Sequence, residues 1–513
     1  MMSIRRKEIG RSRLALLNLT GVVGQKIIAA VVGLIIPKLL IETFGSAVNG
    51  TVISAANFLA IISLLSGGFD SVAKTAFYKP LARKDNVELS KVFNASDAFF
   101  KKIALMFGVY CVALALVFPT LTENGNDYFF TFSLVLILGI DSFASEYFGI
   151  TYIVLLNADQ RSSIYSVINS FCTVLNAIVV FACIKVGFGI HAVKLMSTAV
   201  FLMKPIFVNY VGKKYYNINR KIKGDDTLIA EKWSNMGVTI SGFVQSKVDY
   251  VMMTLFLPIT EVSVYGLYQL VISTLQGFIS ALSTGFVPGM GNMYANSEME
   301  VFKKTFSLYE FVNFFITTFL FTVAALTITP FVSLYTMNVG DAVYNRPIFG
   351  YLIVLAQTVN CLCLPYFYAI VNARHFSQMT KPAVYEVIIN VVLSVLLVFP
   401  LGIIGLAIGT LISSLYKLIY YVWYCSIKIS HIKICYFIKR ILVFGISGIM
   451  TVFVSILWPH QISSYMSWIK FSVVISLVIL FFEGVLSFIF FRTDTNNLYI
   501  KIKSAMFRGE EIK

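Results

Sequence analysis

Read from one end to the other, the chain alternates apolar runs of about twenty residues with short polar links. A helix needs ~20 mostly apolar residues to cross the ~30 Å hydrocarbon core of a bilayer, and runs of this length are too long for buried strands. The pattern predicts fourteen transmembrane helices, at 15–40, 47–70, 100–120, 129–155, 163–184, 189–210, 236–257, 263–287, 307–330, 348–371, 383–400, 402–424, 441–458 and 469–491. Almost nothing polar separates the helices flanking Gly187 or those flanking Pro400-Leu401-Gly402, so both pairs read as tight helical hairpins. The expected class is an all-α integral membrane protein with about 14 transmembrane helices.

The polar links differ in charge, and the difference sets an orientation. Lys and Arg collect at the N-terminus (Arg5, Arg6, Lys7, Arg11, Arg13), in the links 71–102 and 211–235, in 425–440 and after Phe491. Short links on the same side add Arg161, Lys303, Lys304, Arg374 and Lys381, while the opposite side has only Lys38, Lys185, Arg346 and Lys470. Basic residues stay on the cytoplasmic side of a membrane protein, so both termini are expected there, consistent with an even number of helices. The longest polar stretch, Lys213 to Lys232 around Gly224-Asp225-Asp226, reads as a cytoplasmic linker dividing the helices six and eight.

The two sides of that linker resemble each other. The segment Gly189–Lys204 has a counterpart in Gly402–Lys417, 213 residues later. Asn157-Ala158 and Asn372-Ala373 stand 215 apart, and Gly50-Thr51-Val52 and Gly266-Leu267-Tyr268 stand 216 apart. The near-constant offset maps helices 1–6 onto 7–12. A shift of six helices keeps both copies the same way up, which makes a parallel repeat of the kind that builds two lobes around a central site. The expected organisation is an N-terminal six-helix lobe at 1–212, a linker at 213–235, a C-terminal six-helix lobe at 236–424, and two further helices with a basic tail at 425–513.

Composition narrows the function. The 513 residues are 58% hydrophobic and 13% charged, which no soluble globular domain matches. The net charge of +16 is explained by the basic links, not by a nucleic-acid surface. The first apolar run continues to about Ile41, too long for a signal-peptide core of 7–15 residues, so the first helix is expected to remain uncleaved. The seven cysteines fall in apolar runs or predicted cytoplasmic links and predict no disulfide, and Cys361-x-Cys363 has the wrong spacing for zinc. No phosphate loop and no Gly-x-Ser-x-Gly elbow occurs, and the four histidines are scattered. Neither a cofactor nor a metal is expected. Glu123 and Asp127 in the outer turn read as a solvated turn in preference to a metal-sugar-phosphate site.

The ionisable residues inside the apolar runs carry the chemistry. The cations are Lys26, Lys194, Lys204, Lys247 and Lys417; the acids are Asp70, Asp141, Glu146, Asp249, Glu310, Glu386 and Glu483. A lysine facing lipid at mid-membrane costs roughly 2.5–3.5 kcal/mol. Five would cost on the order of 12–17 kcal/mol, as much as a whole fold is worth. Most must line a hydrated cavity or pair with an acid. Lys26 and Lys247 lie deepest and are the strongest candidates for a cavity that binds an anionic ligand. Lys204 and Lys417 lie in the cytoplasmic half of their helices, where snorkelling competes, and Lys194 lies near the outer end. Asp249 follows Lys247 by two residues, roughly 200° round the helix, so the two cannot share a face. Asp249, Asp141 and Glu146 are candidates for proton or sodium coupling. Asp70, Glu310 and Glu386 lie near helix ends and read as solvated.

At this point the chain resembles a known family, the O-antigen and exopolysaccharide flippases of the multidrug/oligosaccharidyl-lipid/polysaccharide exporter superfamily. The segments that carry the resemblance are Lys38–Gly50, Val248–Pro258 continuing to Val264-Tyr265-Gly266-Leu267-Tyr268, and Gly402–Thr410. Pro258 stands where the family often has Gly, which changes the expected turn geometry. The resemblance implies two six-helix lobes working by alternating access in a bacterial cell membrane. It implies an undecaprenyl-diphosphate-linked oligosaccharide as cargo, moved from the inner to the outer leaflet, with other polysaccharide-assembly membrane proteins and membrane lipids as partners. A pyrophosphate cargo suits lysines, which bind phosphate as point charges. The competing classes are a drug exporter, which would want acids and not lysines, a membrane glycosyltransferase or polymerase, which would want a large outer loop, and an amino-acid or ion carrier, which would want paired helix interruptions. Pro205, Pro288 and Pro365 are potential kinks, but the sequence shows no such pair.

Overall fold

The computed structural model describes residues 11–122, 127–225, 227, 236–457 and 462–508. Arg5, Arg6, Lys7, Glu123, Asp226 and Lys232, named above, lie outside the described residues. The chain divides into two compact units between Ser263 and Val264.

The first unit holds α1 (Arg11–Leu59), α2 (Ser63–Arg83), α3 (Asn86–Leu121), α4 (Tyr128–Ala144), α5 (Ile150–Ala158), α6 (Ser162–Val186), α7 (Ile190–Tyr215), α8 (Met236–Phe256) and the first turn of α9 (Ile259–Ala295). The second holds the rest of α9, then α10 (Met299–Tyr335), α11 (Pro347–Leu362), α12 (Leu364–Asn372), α13 (Phe376–Leu401), α14 (Ile403–Lys428), α15 (Ile434–Leu457), α16 (Tyr465–Phe490) and α17 (Arg492–Arg508). Twelve of the described helices are long and apolar enough to cross a membrane. Within the described residues, each of the fourteen predicted segments falls on helix apart from single end residues and Cys363, and residue 458 lies outside the described residues. The first two are fused in α1, where Gly45 (φ 83°) breaks the helix, and the seventh is α8.

Local signals explain the boundaries. Gly187 (φ 88°) and Gly402 (φ 57°) take backbone conformations that L side chains rarely adopt, and these turns make the two predicted hairpins. Asp85 caps α3, its Oδ1 accepting from the Val87 N–H (2.8 Å) and the Glu88 N–H (3.0 Å). Because α2 runs to Arg83 and α3 starts at Asn86, the expected link 71–102 is almost entirely helix with a two-residue turn. The linker is tied down where it is described. Asn94 Nδ2 donates to the carbonyls of Asn219 (3.0 Å) and Ile222 (2.7 Å), and Arg220 pairs with Asp97 at 2.7 Å. Thr227 donates its N–H and hydroxyl to Asp225 Oδ1, which holds that carboxyl below the usual carboxylate range.

The repeat is visible in the backbone. α7 and α14 each have 26 residues, and α5 and α12 each have nine. Non-glycine residues with positive φ recur at matching turns: Lys84 (55°) with Ser297 (59°), and Gln160 (56°) with Arg374 (58°). The sequence reading found no paired interruption, but the structure contains one. A π-helical turn, Ser145–Gly149, separates α4 from α5, and Cys363 separates α11 from α12 at the corresponding place. The chain stays right-handed through both (Ser145 φ −61°, ψ −48°; Cys363 φ −74°, ψ −22°): the first is a slip in hydrogen-bond register, while at the second the four-residue spacing is kept (Cys363 N–H to Val359 carbonyl, 3.2 Å) and Pro365 supplies no N–H.

In the first unit α1 lies along α6, α3 along α4, α7 along α4 and α6, and α8 against α1 and α2. Its core is aromatic, with Phe69, Phe77, Phe93, Phe100 and Tyr152 buried together. In the second unit α14 packs on α13 and α11, while α10 is surrounded by α11, α15 and α16. The α13–α14 contact depends on small residues. A Cβ on Gly405 would sit 2.2 Å from the Leu397 carbonyl oxygen, and one on Gly409 would sit 2.8 Å from Ser394 Oγ. Gly405→Ala should therefore force the two helices apart at a cost of about 1–3 kcal/mol, read as a lower unfolding temperature of the detergent-purified protein, whereas Gly484→Ala, where the added Cβ meets nothing within 4 Å, should leave it unchanged.

Candidate functional site

Beyond Gly45, α1 carries five buried polar residues, Ser46, Asn49, Thr51, Ser54 and Asn57, of which Asn49, Ser54 and Asn57 form one set. Each of these three meets a polar partner on α8 or just after it. Asn49 Nδ2 donates to Ser263 Oγ at 2.8 Å, the hydroxyls of Ser54 and Thr254 bond each other, and Lys247 Nζ donates to Asn57 Oδ1 at 2.7 Å. The partners run in opposite chain directions, so the two segments form an antiparallel polar seam. Thr254 follows Lys247 by seven residues, two helical turns, which puts both on the stripe facing α1.

Lys247 is the charged end of this seam. It is half-buried, its amine lies 5.9 Å from the centre of the Tyr250 ring, and no ion pair involves it among the described residues. Its hydrogen bond goes to a neutral amide, so the charge stays uncompensated where the solvent is thin. Asp249, two residues on, is buried (4% exposed) and lies off the seam-facing stripe, as the helical spacing requires.

The other predicted cations have different surroundings. Lys26 is exposed on α1 and Lys194 half-buried on α7, neither in an ion pair among the described residues. Lys204 is half-buried, with its amine 3.9 Å from the centre of the Phe201 ring, and Asp141 and Cys172 lie within its electrostatic reach. Lys417 is paired with Glu386 at 2.8 Å, with the carboxyl side chain 4% exposed. Lys204 and Lys417 are equivalent in the repeat. Glu386 has Cys172 as its counterpart in the first unit, so only the second copy carries an acid at that position. Glu146 sits in the π-helical turn and accepts from Ser66 Oγ at 3.1 Å; Asp141 is half-buried one turn earlier.

Two sequence expectations are corrected here. Glu310 and Glu386 are not solvated helix ends: they are 2% and 3% exposed. Glu310 pairs with Arg440, which also reaches Asp494 at 2.9 Å and Ser307 at 2.9 Å, and the Tyr366 hydroxyl donates to Glu310. This network pins α15 and the start of α17 to α10. Sequence reasoning missed it because Arg440 was counted with a basic link. It also missed Asn49, Ser54 and Asn57, although three amide or hydroxyl residues on one face of an apolar helix were a readable signal.

No family model matches the chain, and no curated protein matches its sequence. The fold does have solved counterparts. It is similar to the structure of a lipid II flippase, MurJ, in an inward closed conformation, with a TM-score of 0.71 at 15% identity over 92% of this chain and 99% of that one. It is also similar to an inward-facing MATE family multidrug resistance transporter of the MOP superfamily (TM-score 0.61, 13% identity, 80% of this chain and 98% of that one). A third is the MATE multidrug transporter DinF-BH in complex with R6G (TM-score 0.59, 14% identity, 84% and 100%). The chain shares the fold of these solved transporters. The chain is a multi-pass membrane protein, and its all-helical class is the one the hydrophobic pattern predicts.

The two lysines make different predictions. Removing one partner of a buried ion pair leaves the other charge unmet, at about 3–5 kcal/mol. Lys417→Met and Glu386→Gln should each lower the unfolding temperature markedly, and the double variant should recover much of the loss. Lys247→Gln leaves no carboxylate behind and should cost far less, as measured in the same thermal unfolding series.

Proposed function

We propose that this chain is a flippase for undecaprenyl-diphosphate-linked oligosaccharide. It carries the lipid-linked unit from the inner to the outer leaflet of a bacterial cell membrane by alternating access of two six-helix lobes, 1–212 and 236–424, joined by the linker 213–235. The helices and tail at 425–513 are additional, and both termini are cytoplasmic. The observation that carries this reading is Lys247: an ammonium bonded to a neutral amide in a polar seam, with no carboxylate partner among the described residues. A membrane-embedded charge left in this state attracts an anion, and a diphosphate is an anion that a lysine's rotatable donors suit. Lys26, Lys194 and Lys204 supply further positive charge along the path, and Asp249, Asp141 and Glu146 are the residues proposed for ion coupling. Lys417 acts through its pair with Glu386 and is released to cargo only if that pair opens.

The neighbours support a transporter over an enzyme, since the solved structures of this fold above are a lipid II flippase and multidrug transporters. A drug exporter for organic cations would want its acids unmatched and its lysines paired; Lys247 has the opposite arrangement.

The test is genetic. Deleting the gene should remove one surface glycan and leave its lipid-linked precursor inside the membrane. Complementation with Lys247→Ala should restore less than a tenth of that glycan at normal protein level, while Lys247→Arg should restore more. Full restoration by Lys247→Ala would refute the role given to this lysine; an unchanged set of glycans and precursors in the deletion strain would refute the cargo.

A further inference from the structure

The second unit contains a buried acid that none of the charge pairs accounts for. Glu483, on α16, is 0% exposed, and neither carboxylate oxygen has a hydrogen-bond partner among the described residues. Gln269, Asn390, Ser394, Ser414 and Arg440 of this unit also carry such atoms, but three further side chains lie on α16 itself or on α10, which packs against it. Asn313 (0% exposed, both amide atoms), Thr317 (0%) and Ser487 (2%) also have buried polar atoms with no partner there. Orphaned buried polar atoms are rare because each costs about 1–3 kcal/mol. Four side chains concentrated on two helices therefore call for a ligand.

The register brings them together. α10 and α16 pack antiparallel, fixed at one end by Trp468 Nε1 donating to the Thr327 carbonyl (2.9 Å) and at the other by the Phe311 and Phe491 rings, whose centres are 5.9 Å apart. Interpolating between these ties sets Glu483 and Ser487 opposite Thr317 and Asn313. Both pairs have i,i+4 spacing, so each lies along one face of its helix. α15 closes the third side. Its Phe444 ring lies 6.1 Å from that of Phe314, and the buried Ser447 three residues on donates to the Phe444 carbonyl, which leaves its oxygen lone pairs available.

We propose that Glu483, Thr317, Ser487 and the side-chain oxygen of Asn313 form a site for one dehydrated sodium ion between α10, α15 and α16. The donor set is all oxygen, which selects a hard cation. One carboxylate among neutral ligands balances a single positive charge, and a divalent ion would leave net charge in hydrocarbon. Oxygens that share a cation aim their lone pairs at it and not their protons at one another, which matches side chains that make no hydrogen bonds among themselves. A carboxylic acid kept neutral would instead be expected to donate its proton to one of them. This site is separate from the Lys247 seam and does not depend on the cargo proposed above.

The experiment uses the purified full-length protein in detergent, unfolded thermally in sodium chloride and in choline chloride at equal ionic strength, with bound ²²Na⁺ counted in parallel. The wild type should show a saturable sodium-specific rise in unfolding temperature. Glu483→Gln should lose it together with one equivalent of bound sodium, and Thr317→Val should move its midpoint to several-fold higher sodium. If Glu483→Gln does not purify folded, Thr317→Val and Ser487→Ala give the answer through their midpoints. No difference between sodium and choline in the wild type, a response to pH alone, or an unchanged sodium response in the variants would overturn the site.

Discussion

The cost of placing charge in hydrocarbon is the constraint that organises this molecule. Every ion in an apolar helix must be paired, hydrated or neutralised, because the bilayer offers no water to do it. In the second unit two cations meet the constraint by pairing. Lys417 has Glu386 at 2.8 Å, and Arg440 sits among Glu310, Asp494 and Ser307. The first unit departs from it at Lys247, whose partner is the neutral Asn57. A device that must hold an anion briefly and then release it needs such a departure, since a lysine already paired with a carboxylate has little attraction to spare.

The internal repeat serves as a control for that argument. The two copies share helix lengths and even the unusual turns, with Gln160 and Arg374 both at positive φ. Against that shared frame, differences in charge are informative. The position of Glu386 is occupied by Cys172 in the first copy, so one scaffold carries a neutralised lysine in one half and a lysine stacked on Phe201 in the other. The positive charge is unequally distributed between the halves although the backbone is nearly the same.

The fold was legible because membrane helices announce themselves by length and hydropathy, and because Gly187 and Gly402 mark their own turns. The repeat was legible through Lys204 and Lys417. Partnership was not legible. Periodicity says which face a residue occupies on its own helix, but not which helix lies opposite, so Glu386 and Glu310 looked like solvated ends when each is buried against a cation from elsewhere. The helix slip at Ser145–Gly149 was invisible for a related reason: a change of hydrogen-bond register within a right-handed helix leaves composition and periodicity almost untouched, whereas its counterpart at Cys363 had a visible cue in Pro365. The Asn49–Asn57 stripe was visible in principle, as a cue to a polar seam opposite Lys247.

The account therefore comes down to whether the ammonium of Lys247 is available to a phosphorylated lipid. The most direct measurement is native mass spectrometry of the purified protein titrated with a polyprenyl diphosphate and with the same polyprenol lacking phosphate. The account predicts that the wild type retains the diphosphate at least tenfold more tightly than the alcohol, and that Lys247→Gln removes most of that preference while binding the alcohol as before. Equal retention of the two lipids by the wild type, or an undiminished diphosphate preference in Lys247→Gln, would contradict it.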